Sequence, residues 1–171
     1  MVAKLVAVVG GKHSGKTTVV ENLIVELKRR GYRVGVVKEM VRIPTLDTPA
    51  TETGRYTTAG AELIVAVPRD ETVIFIKKRL SIRDILPHLI GLDYVVLEGF
   101  EVDEGPPKII AAKTAEEART YMDSFAIAIS GLIMEYEAEK RKAELFGVPL
   151  FESLTQNKEI ADLVEQKAVF F

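Results

Sequence analysis

A glycine-rich segment close to the N-terminus has the residue types and spacing that bind phosphate groups. Residues 10–17 read GGKHSGKT and fit the pattern G-x4-G-K-[ST], in which glycines let successive backbone N–H groups face phosphate oxygens. Lys16 is predicted to contact the β- and γ-phosphates, Thr17 to ligate Mg²⁺, and Thr18 to help hold the α-phosphate. The predicted nucleotide-binding residues are Gly10, Gly11, Lys12, His13, Ser14, Gly15, Lys16, Thr17 and Thr18.

Two side chains inside this loop are not given a catalytic role. Some dimeric proteins with such loops use a second lysine immediately after the first glycine, but here that position is Gly11 and Lys12 comes one place later. His13 is interpreted as a variable loop residue rather than a catalytic base. Both Lys12 and His13 remain among the nucleotide-binding residues as parts of the loop.

Two acidic residues are candidates for the magnesium side of the site. Glu98 follows the apolar run 94–97 (YVVL) and precedes Gly99, and a carboxylate at such a strand end can hold Mg²⁺ directly or through water. Asp47 lies in a long polar segment, 39–58, that follows the second predicted strand and is expected to face the γ-phosphate. The predicted catalytic residues are Lys16, Glu98 and Asp47, and the predicted metal ligands are Thr17, Glu98 and Asp47.

The elements on either side of the loop predict the fold. Residues 4–9 form an apolar run typical of a central parallel strand, 16–30 have helical periodicity, and 33–38 (RVGVVK) form a second strand. A strand, helix and strand within about 35 residues require parallel pairing and a right-handed crossover. We therefore predict an α/β fold, a P-loop NTPase three-layer sandwich with a mostly parallel sheet, helices on both faces and an added hairpin. It is predicted to form a single nucleotide-binding domain over residues 1–171.

The remaining segments supply the other elements. Residues 63–67 and 72–76 are predicted to pair as the hairpin, and 39–58 to form a loop. Ser81 and Asn157 are predicted N-caps, and the Ser130-Gly131 step is expected near the nucleotide base. The further predicted strands are 94–97, 108–112, 125–129 and 148–151, and the further predicted helices are 81–90, 115–122, 135–146 and 159–167.

Composition excludes several classes of protein. A chain of 171 residues with 47% hydrophobic residues can bury a core, so global disorder is not expected. A formal net charge of −2 argues against binding nucleic acid through bulk positive charge. No apolar run is long enough to span a membrane, no signal-peptide pattern opens the chain, and cysteine is absent, so we expect a cytoplasmic protein without disulfides.

Four segments together resemble those of MobB-type molybdopterin-guanine dinucleotide biosynthesis proteins. They are the GGKHSGKTT loop, the VVK strand with its Asp-containing loop, the TTAGAELIVA segment and the VVLEGF strand. The resemblance implies GTP binding with weak hydrolysis, Mg²⁺, a homodimer, and a supporting role when a partner nucleotidyltransferase of the MobA type attaches GMP to molybdopterin. Lys16, Thr17 and Glu98 match the family's phosphate and magnesium positions, and Asp47 matches an acid in the family's loop. Residues 39–42 (EMVR) and 50–53 (ATET) replace the family's His-rich stretch and its Gly-Lys-Asp-Ser-like segment, which leaves the molybdopterin-contacting residues unassigned.

Three other functions remain open from the residues alone. A GTPase that delivers transition metals would need more ligands than His13 and His88 provide. A nucleotide-sensing interaction module would bind GTP and turn it over slowly or not at all. An ATP-dependent metabolite kinase or ligase would need basic residues to neutralise its acceptor. The arginines available for that purpose are Arg55, Arg69, Arg79 and Arg83.

Overall fold

The computed structural model describes residues 3–40, 50–100 and 105–170. The chain forms two compact units, one made of Met1–Glu39 with Leu89–Phe171 and the other of Met40–His88. The larger unit contains a mostly parallel sheet, and the smaller contains a two-stranded antiparallel sheet. The predicted α/β class with an added hairpin is therefore confirmed, while the single domain over residues 1–171 stays a prediction.

Eight strands and six α-helices lie within the described residues. In chain order the strands are β1 (Lys4–Val9), β2 (Val34–Lys38), β3 (Leu63–Ala66), β4 (Val73–Ile76), β5 (Tyr94–Glu98), β6 (Lys108–Ala111), β7 (Ala126–Ser130) and β8 (Val169–Phe170). The helices are α1 (Lys16–Arg29), α2 (Glu52–Thr58), α3 (Ile82–Ile85), α4 (Ala115–Thr120), α5 (Glu137–Ala143) and α6 (Asn157–Lys167), with 3₁₀ turns at Leu86–Leu89, Leu132–Glu135 and Glu144–Phe146. None of these helices is both long and apolar enough to cross a membrane.

The larger sheet brings the ends of its parallel strands to one edge. Its strand order is β2-β5-β1-β6-β7, and each neighbouring pair is parallel. Val8 of β1 and Lys38 of β2 are both in register with Glu98 of β5. The short strand β8 pairs antiparallel with Lys4 and Leu5, at the end of β1 that β6 does not cover. Ligands of open parallel sheets bind where the carboxyl ends of the strands meet, so this edge is the expected site.

The central strand is covered on both faces. Leu5 and Val6, which point to opposite sides of β1, are both fully buried, as the continuous apolar run predicts. The face that carries Val6 and Val8 packs in one core cluster with α1 and α6. The buried helical residues of this cluster are Val19, Val20, Leu23, Leu27, Ile160, Ala161 and Val164. The core thus fixes the first turn of α1 relative to the end of β1, and with it the glycine-rich loop.

Charged side chains also join α1 to α6. The buried Glu26 carboxylate accepts hydrogen bonds from Arg29 and Arg30 at 2.8–2.9 Å. Arg30 in turn pairs with Asp162 at 2.6 Å and with Glu165 at 3.1 Å. The arginine hydrogen bonds lower the pKa of Glu26 to about 2. Because the carboxylate is ionised and fully bonded, this cluster contributes stability at neutral pH.

The smaller unit confirms the predicted hairpin and corrects one predicted loop. Strands β3 and β4 pair antiparallel, with Val65 opposite Ile74. Ser81 caps α3 in a reciprocal capping box with Asp84, as predicted. Residues 52–58, predicted as part of a loop, form helix α2, because the Thr51 hydroxyl accepts a hydrogen bond from a backbone N–H of its first turn.

Three other boundaries in the larger unit differ from the prediction. The predicted strand 148–151 is reduced to a single bridge between Ile129 and Leu150, since Pro149 has no N–H to donate. The predicted helix 135–146 is shortened to α5 because Tyr136 has an extended backbone. Asn157 is the first residue of α6 rather than its N-cap, and the preceding Gln156 makes no side-chain capping bond.

Candidate functional site

The glycine-rich loop joins β1 to α1 at the carboxyl edge of the larger sheet. Gly10 has a φ of 144°, and a Cβ at this position would lie 1.9 Å from the carbonyl oxygen of Ala111, so only glycine fits. His13 adopts a positive φ of 58°, which turns the loop toward the helix. Helix α1 begins at Lys16, so the unpaired N–H groups of its first turn and its positive dipole end lie at the loop. This is the backbone arrangement that anions bind.

The Lys16 side chain folds back onto the loop that precedes it. Its ammonium group donates hydrogen bonds to the carbonyl oxygens of Gly10, at 3.0 Å, and of Gly11. Burial lowers the pKa of Lys16, while the charges of Glu98 and Glu117 act in the opposite direction. The structure therefore holds a partly desolvated cation at the loop, bonded only to backbone oxygens in the contacts described.

The Thr17 hydroxyl and the Glu98 carboxylate meet directly beside this lysine. Thr17 Oγ1 donates to Glu98 Oε1 at 2.9 Å, and Glu98 is 4% exposed. Lys38, at the end of the neighbouring strand, places its ammonium nitrogen 2.8 Å from the same Oε1 atom and 3.4 Å from Thr17 Oγ1. The sequence reasoning did not assign Lys38, although the parallel alignment of β2 with β5 predicts that the two strand ends lie side by side.

Residues between β6 and α4, and in α4 itself, contact one side of the glycine-rich loop. The sequence analysis assigned no role to them. Lys113 Nζ donates to the carbonyl oxygen of Lys12 at 3.1 Å. The Glu117 carboxylate accepts the Lys113 backbone N–H and lies where a Cβ on Gly11 would project. These contacts add one positive and one negative charge beside the loop.

The segment after β7 packs against the opposite side of the loop. The Leu132 N–H donates to the carbonyl oxygen of Ser14 at 3.1 Å, and a Cβ on Gly131 would lie 2.3 Å from that same oxygen. The hydroxyl of Ser130 is buried and donates to the Phe151 carbonyl at 2.7 Å, so its polar group is already used inside the fold. The Ser130-Gly131 step is thus adjacent to the loop, and its contact with a nucleotide base stays a prediction.

The predicted site residues within the described ranges gather around one open cavity of about 480 Å³. Residues 12–18 line it together with Lys38, Glu98 and Leu132. Gly10 and Gly11 are not among the lining residues, but their carbonyl oxygens accept hydrogen bonds from the ammonium group of Lys16, which is. Asp47, the third predicted catalytic and metal residue, lies outside the described residues, so its role stays a prediction.

The side chains suit an oxygen-preferring ion better than a transition metal. Among the described residues, no group of three or more His, Asp or Glu side chains is placed to hold a metal alone. The cavity is lined by the hydroxyl residues Ser14, Thr17 and Thr18 and by the carboxylates Glu39 and Glu98, of which Thr17 and Glu98 are in direct contact. Mg²⁺ is commonly bound in this way, through one or two protein oxygens, several waters and substrate phosphates. The donor set therefore fits Mg²⁺.

Comparison with known proteins gives a consistent family. A family model described as MobB, molybdopterin guanine dinucleotide synthesis protein B, matches residues 5–131. The chain is 30% identical over 131 residues to a putative molybdopterin-guanine dinucleotide biosynthesis adapter protein of Methanocaldococcus jannaschii. The matched region covers 74% of this chain and 54% of that protein. The chain therefore spans about half the length of that relative. It is 26% identical over 138 residues to the adapter protein of Haemophilus influenzae, which covers 74% of this chain and 73% of the relative.

Solved structures give the same fold. The crystal structure of Bacillus subtilis MobB is similar with a TM-score of 0.73 and 23% identity, over 97% of this chain and 98% of that one. A MobB homologue from Bacillus stearothermophilus is similar with a TM-score of 0.64 and 21% identity, over 95% of this chain and 96% of that one. At these identities the likeness establishes the fold alone.

Proposed function

Because the chain belongs to the MobB family of molybdopterin guanine dinucleotide synthesis proteins, we propose that it binds GTP with Mg²⁺ and assists the attachment of GMP to molybdopterin. In this role it acts as an adapter for a nucleotidyltransferase of the MobA type and its molybdopterin-related substrate. Relatives named as biosynthesis adapter proteins support this assignment. The choice of guanine rests on the family, since the described cavity contains no side-chain arrangement that selects a base by itself.

The contact between Thr17 and Glu98 carries the proposal. Their oxygens are 2.9 Å apart, and a hydroxyl and a carboxylate are oxygen ligands of the kind that Mg²⁺ prefers. Thr17 would therefore be a ligand of Mg²⁺. Glu98 would either be a second ligand or would accept a hydrogen bond from the Thr17 hydroxyl. Bound there, Mg²⁺ supplies positive charge where a triphosphate needs it.

The loop supplies the remaining groups for a triphosphate. The Lys16 ammonium exchanges its backbone carbonyl partners, Gly10 and Gly11, for phosphate oxygens, which form stronger charge-assisted bonds. The first turn of α1 adds its unpaired N–H groups, and Thr18 lines the same cavity. Each of these groups acts without a change in the fold of the loop.

Slow hydrolysis is part of the proposal. Glu98 Oε1 already accepts the Thr17 hydroxyl, so this contact occupies it as a proton acceptor for water. A nucleotide that is bound firmly and turned over slowly suits an adapter, whose product is made by its partner enzyme.

A homodimer also belongs to the proposed function. One face of the hairpin in the smaller unit presents apolar side chains, with Leu63 57% exposed and both Val65 and Ile74 48% exposed. Exposed apolar patches of this kind mark protein-protein contacts. This face is the described surface that we assign to contact with a second copy of the chain.

Binding and reconstitution measurements test the function. Titration of fluorescent GTP and ATP analogues, with Mg²⁺ or with EDTA, is expected to give tighter binding of the GTP analogue in Mg²⁺. Addition of the chain to a MobA-type enzyme, molybdopterin and GTP is expected to raise the yield of the dinucleotide. Equal or tighter binding of ATP contradicts the guanine assignment, and an unchanged yield contradicts the adapter role.

A further inference from the structure

The position of Lys38 has a consequence for how a metal enters the site. Lys38 is the last residue of β2 and is in register with Glu98, the last residue of β5. Its ammonium nitrogen contacts Glu98 Oε1 at 2.8 Å and approaches Thr17 Oγ1 at 3.4 Å. These are the same two oxygen atoms that the proposed function assigns to the magnesium side.

The Lys38 ammonium and Mg²⁺ would compete for the same two oxygen atoms and would repel each other. Since Lys38 Nζ is 3.4 Å from Thr17 Oγ1, a Mg²⁺ ligated by that oxygen would lie at most about 5.5 Å from the ammonium nitrogen. That distance is shorter than the Debye length of about 8 Å at physiological ionic strength, so salt screens the repulsion only in part. The Lys38 ammonium must therefore give up its contacts with Thr17 and Glu98 when Mg²⁺ takes the same oxygen atoms.

The exposure of the two partners decides which of them moves. The Lys38 side chain is 43% exposed, whereas the Glu98 side chain is 5% exposed and is held within the sheet. A lysine on a flexible stem can turn from the carboxylate to a phosphate oxygen, but the carboxylate cannot follow it. The mobile element of the pair is thus Lys38.

We propose that Lys38 is a built-in counter-ion that occupies the magnesium side of the site until a Mg²⁺–nucleotide complex displaces it. In the nucleotide-free protein it keeps Glu98 neutralised and aligned with Thr17, and it opposes the binding of a free divalent ion. With a nucleotide but no metal, it supplies part of the charge that Mg²⁺ would supply. This proposal rests on the proposed function, because it concerns the same Mg²⁺–nucleotide site.

The experiment measures metal and nucleotide binding separately on the full chain. Lys38→Met removes the charge and keeps a long apolar stem, and Lys113→Met removes a lysine charge beside the same loop without touching Thr17 or Glu98. Mn²⁺ serves as the probe for the magnesium side, with its free concentration read by electron paramagnetic resonance. A fluorescent GTP analogue is titrated into each protein in EDTA and in Mg²⁺, and circular dichroism checks the fold.

The proposal makes opposite predictions for the two ligands. Removal of a like charge at this distance is expected to tighten Mn²⁺ binding to nucleotide-free Lys38→Met by about tenfold or more relative to wild type. The same variant is expected to lose more affinity for the nucleotide in EDTA than in Mg²⁺, while Lys113→Met keeps the wild-type Mn²⁺ affinity. A lysine that only supported the local structure would weaken Mn²⁺ binding or leave it unchanged.

Failure of this proposal can be told apart from failure of the proposed function. If wild-type protein binds the GTP analogue in Mg²⁺ but Lys38→Met does not tighten Mn²⁺ binding, the counter-ion role is wrong and the nucleotide site stands. If wild type binds no nucleotide in either condition, the proposed function is wrong and the counter-ion role falls with it. Should Lys38→Met fail to fold, Lys38→Gln is subject to the same expectation.

Discussion

The Lys16 ammonium nitrogen lies 3.0 Å from the carbonyl oxygen of Gly10, so the lysine of the loop is bonded to the loop itself. The bond holds the side chain at the point where phosphate oxygens are expected, and burial lowers its pKa there. The lysine thus exchanges one set of oxygen partners for another when an anion binds. The first prediction follows from this exchange.

Lys16→Ala is expected to weaken GTP binding by about 10-fold to 100-fold, because a hydrogen bond to a charged group contributes about 1.5–3 kcal/mol. The fold is expected to remain, since the contacts described for this ammonium join it only to the loop. Fluorescence titration with a GTP analogue measures the change, and Lys28→Ala, in the last turn of α1 away from the loop, is the control. An unchanged dissociation constant would show that the loop does not use Lys16 to hold phosphate.

Glu98→Gln is expected to slow Mg²⁺-dependent hydrolysis by about tenfold or more while weakening nucleotide binding less, because an amide lacks the anionic oxygen that Mg²⁺ prefers. Phosphate release is followed across a Mg²⁺ titration. Asp93→Asn, beside the opposite end of the same strand, is the control and is expected to hydrolyse at the wild-type rate. Equal rates for wild type and Glu98→Gln at every Mg²⁺ concentration contradict the magnesium role.

Glu26→Gln is expected to lower the free energy of unfolding at pH 7, because it removes the anion that bonds Arg29 and Arg30. The folded protein lowers the pKa of Glu26 from 4.5 to about 2, so its contribution is fully present above pH 4.5 and is lost as pH falls toward 2. Urea unfolding at several pH values should show that the difference in the free energy of unfolding between wild type and variant becomes smaller as pH falls from 4.5 toward 2.

The exposed pair of Glu137 with Arg141 provides the control for the Glu26 cluster. Glu137→Gln is expected to change stability little, since exposed pairs contribute little. If the difference in the free energy of unfolding between wild type and Glu26→Gln stays constant from pH 7 to pH 2, the ionised carboxylate is not the source of the stability.

Val65→Asp is expected to dissociate the proposed homodimer, because it places a charge on the apolar face of the hairpin. Light scattering during size-exclusion chromatography measures the mass. Leu145→Asp, an 85% exposed apolar position in the larger unit, is expected to leave the dimer intact. A wild-type chain that remains monomeric at high concentration contradicts the dimer, and a Val65→Asp dimer contradicts the assigned face.

Much of the larger unit was predictable because its central strands, β1 and β5, are buried on both faces. The apolar runs at 4–9 and 94–97 could belong only to central strands, and the loop between strand and helix has a specific motif. The family resemblance, built from four segments of the chain, is confirmed by the family model that matches residues 5–131. The parts predicted were thus those in which burial and backbone geometry restrict the residue types.

The errors share a different physical origin. Helix α2 has no apolar periodicity, so the Thr51 N-cap is the one feature of its sequence that indicates a helix. At residues 148–151 the composition is that of a strand, but Pro149 cannot donate and one bridge is all that forms. Lys38 was missed because a lysine at a strand end looks like a solvated residue until its partner strand is known. In each case the deciding interaction involves a hydrogen bond or an ion pair, which sequence periodicity does not reveal.

The placement of β1 at the centre of the sheet also affects how the chain can fold during its synthesis. The partner residues of β1 in β5 lie about 90 positions further along the chain, as in the pair Lys4 and Tyr94. At a ribosomal rate of about 5–20 residues per second, β1 has no sheet neighbour for about 5–20 seconds. During that interval an apolar strand with two open edges emerges before its partners exist, which exposes it to mispairing with other nascent chains. The contact between Thr17 and Glu98 must likewise wait for β5, so the ability to bind a nucleotide with Mg²⁺ would report that β5 has paired with β1.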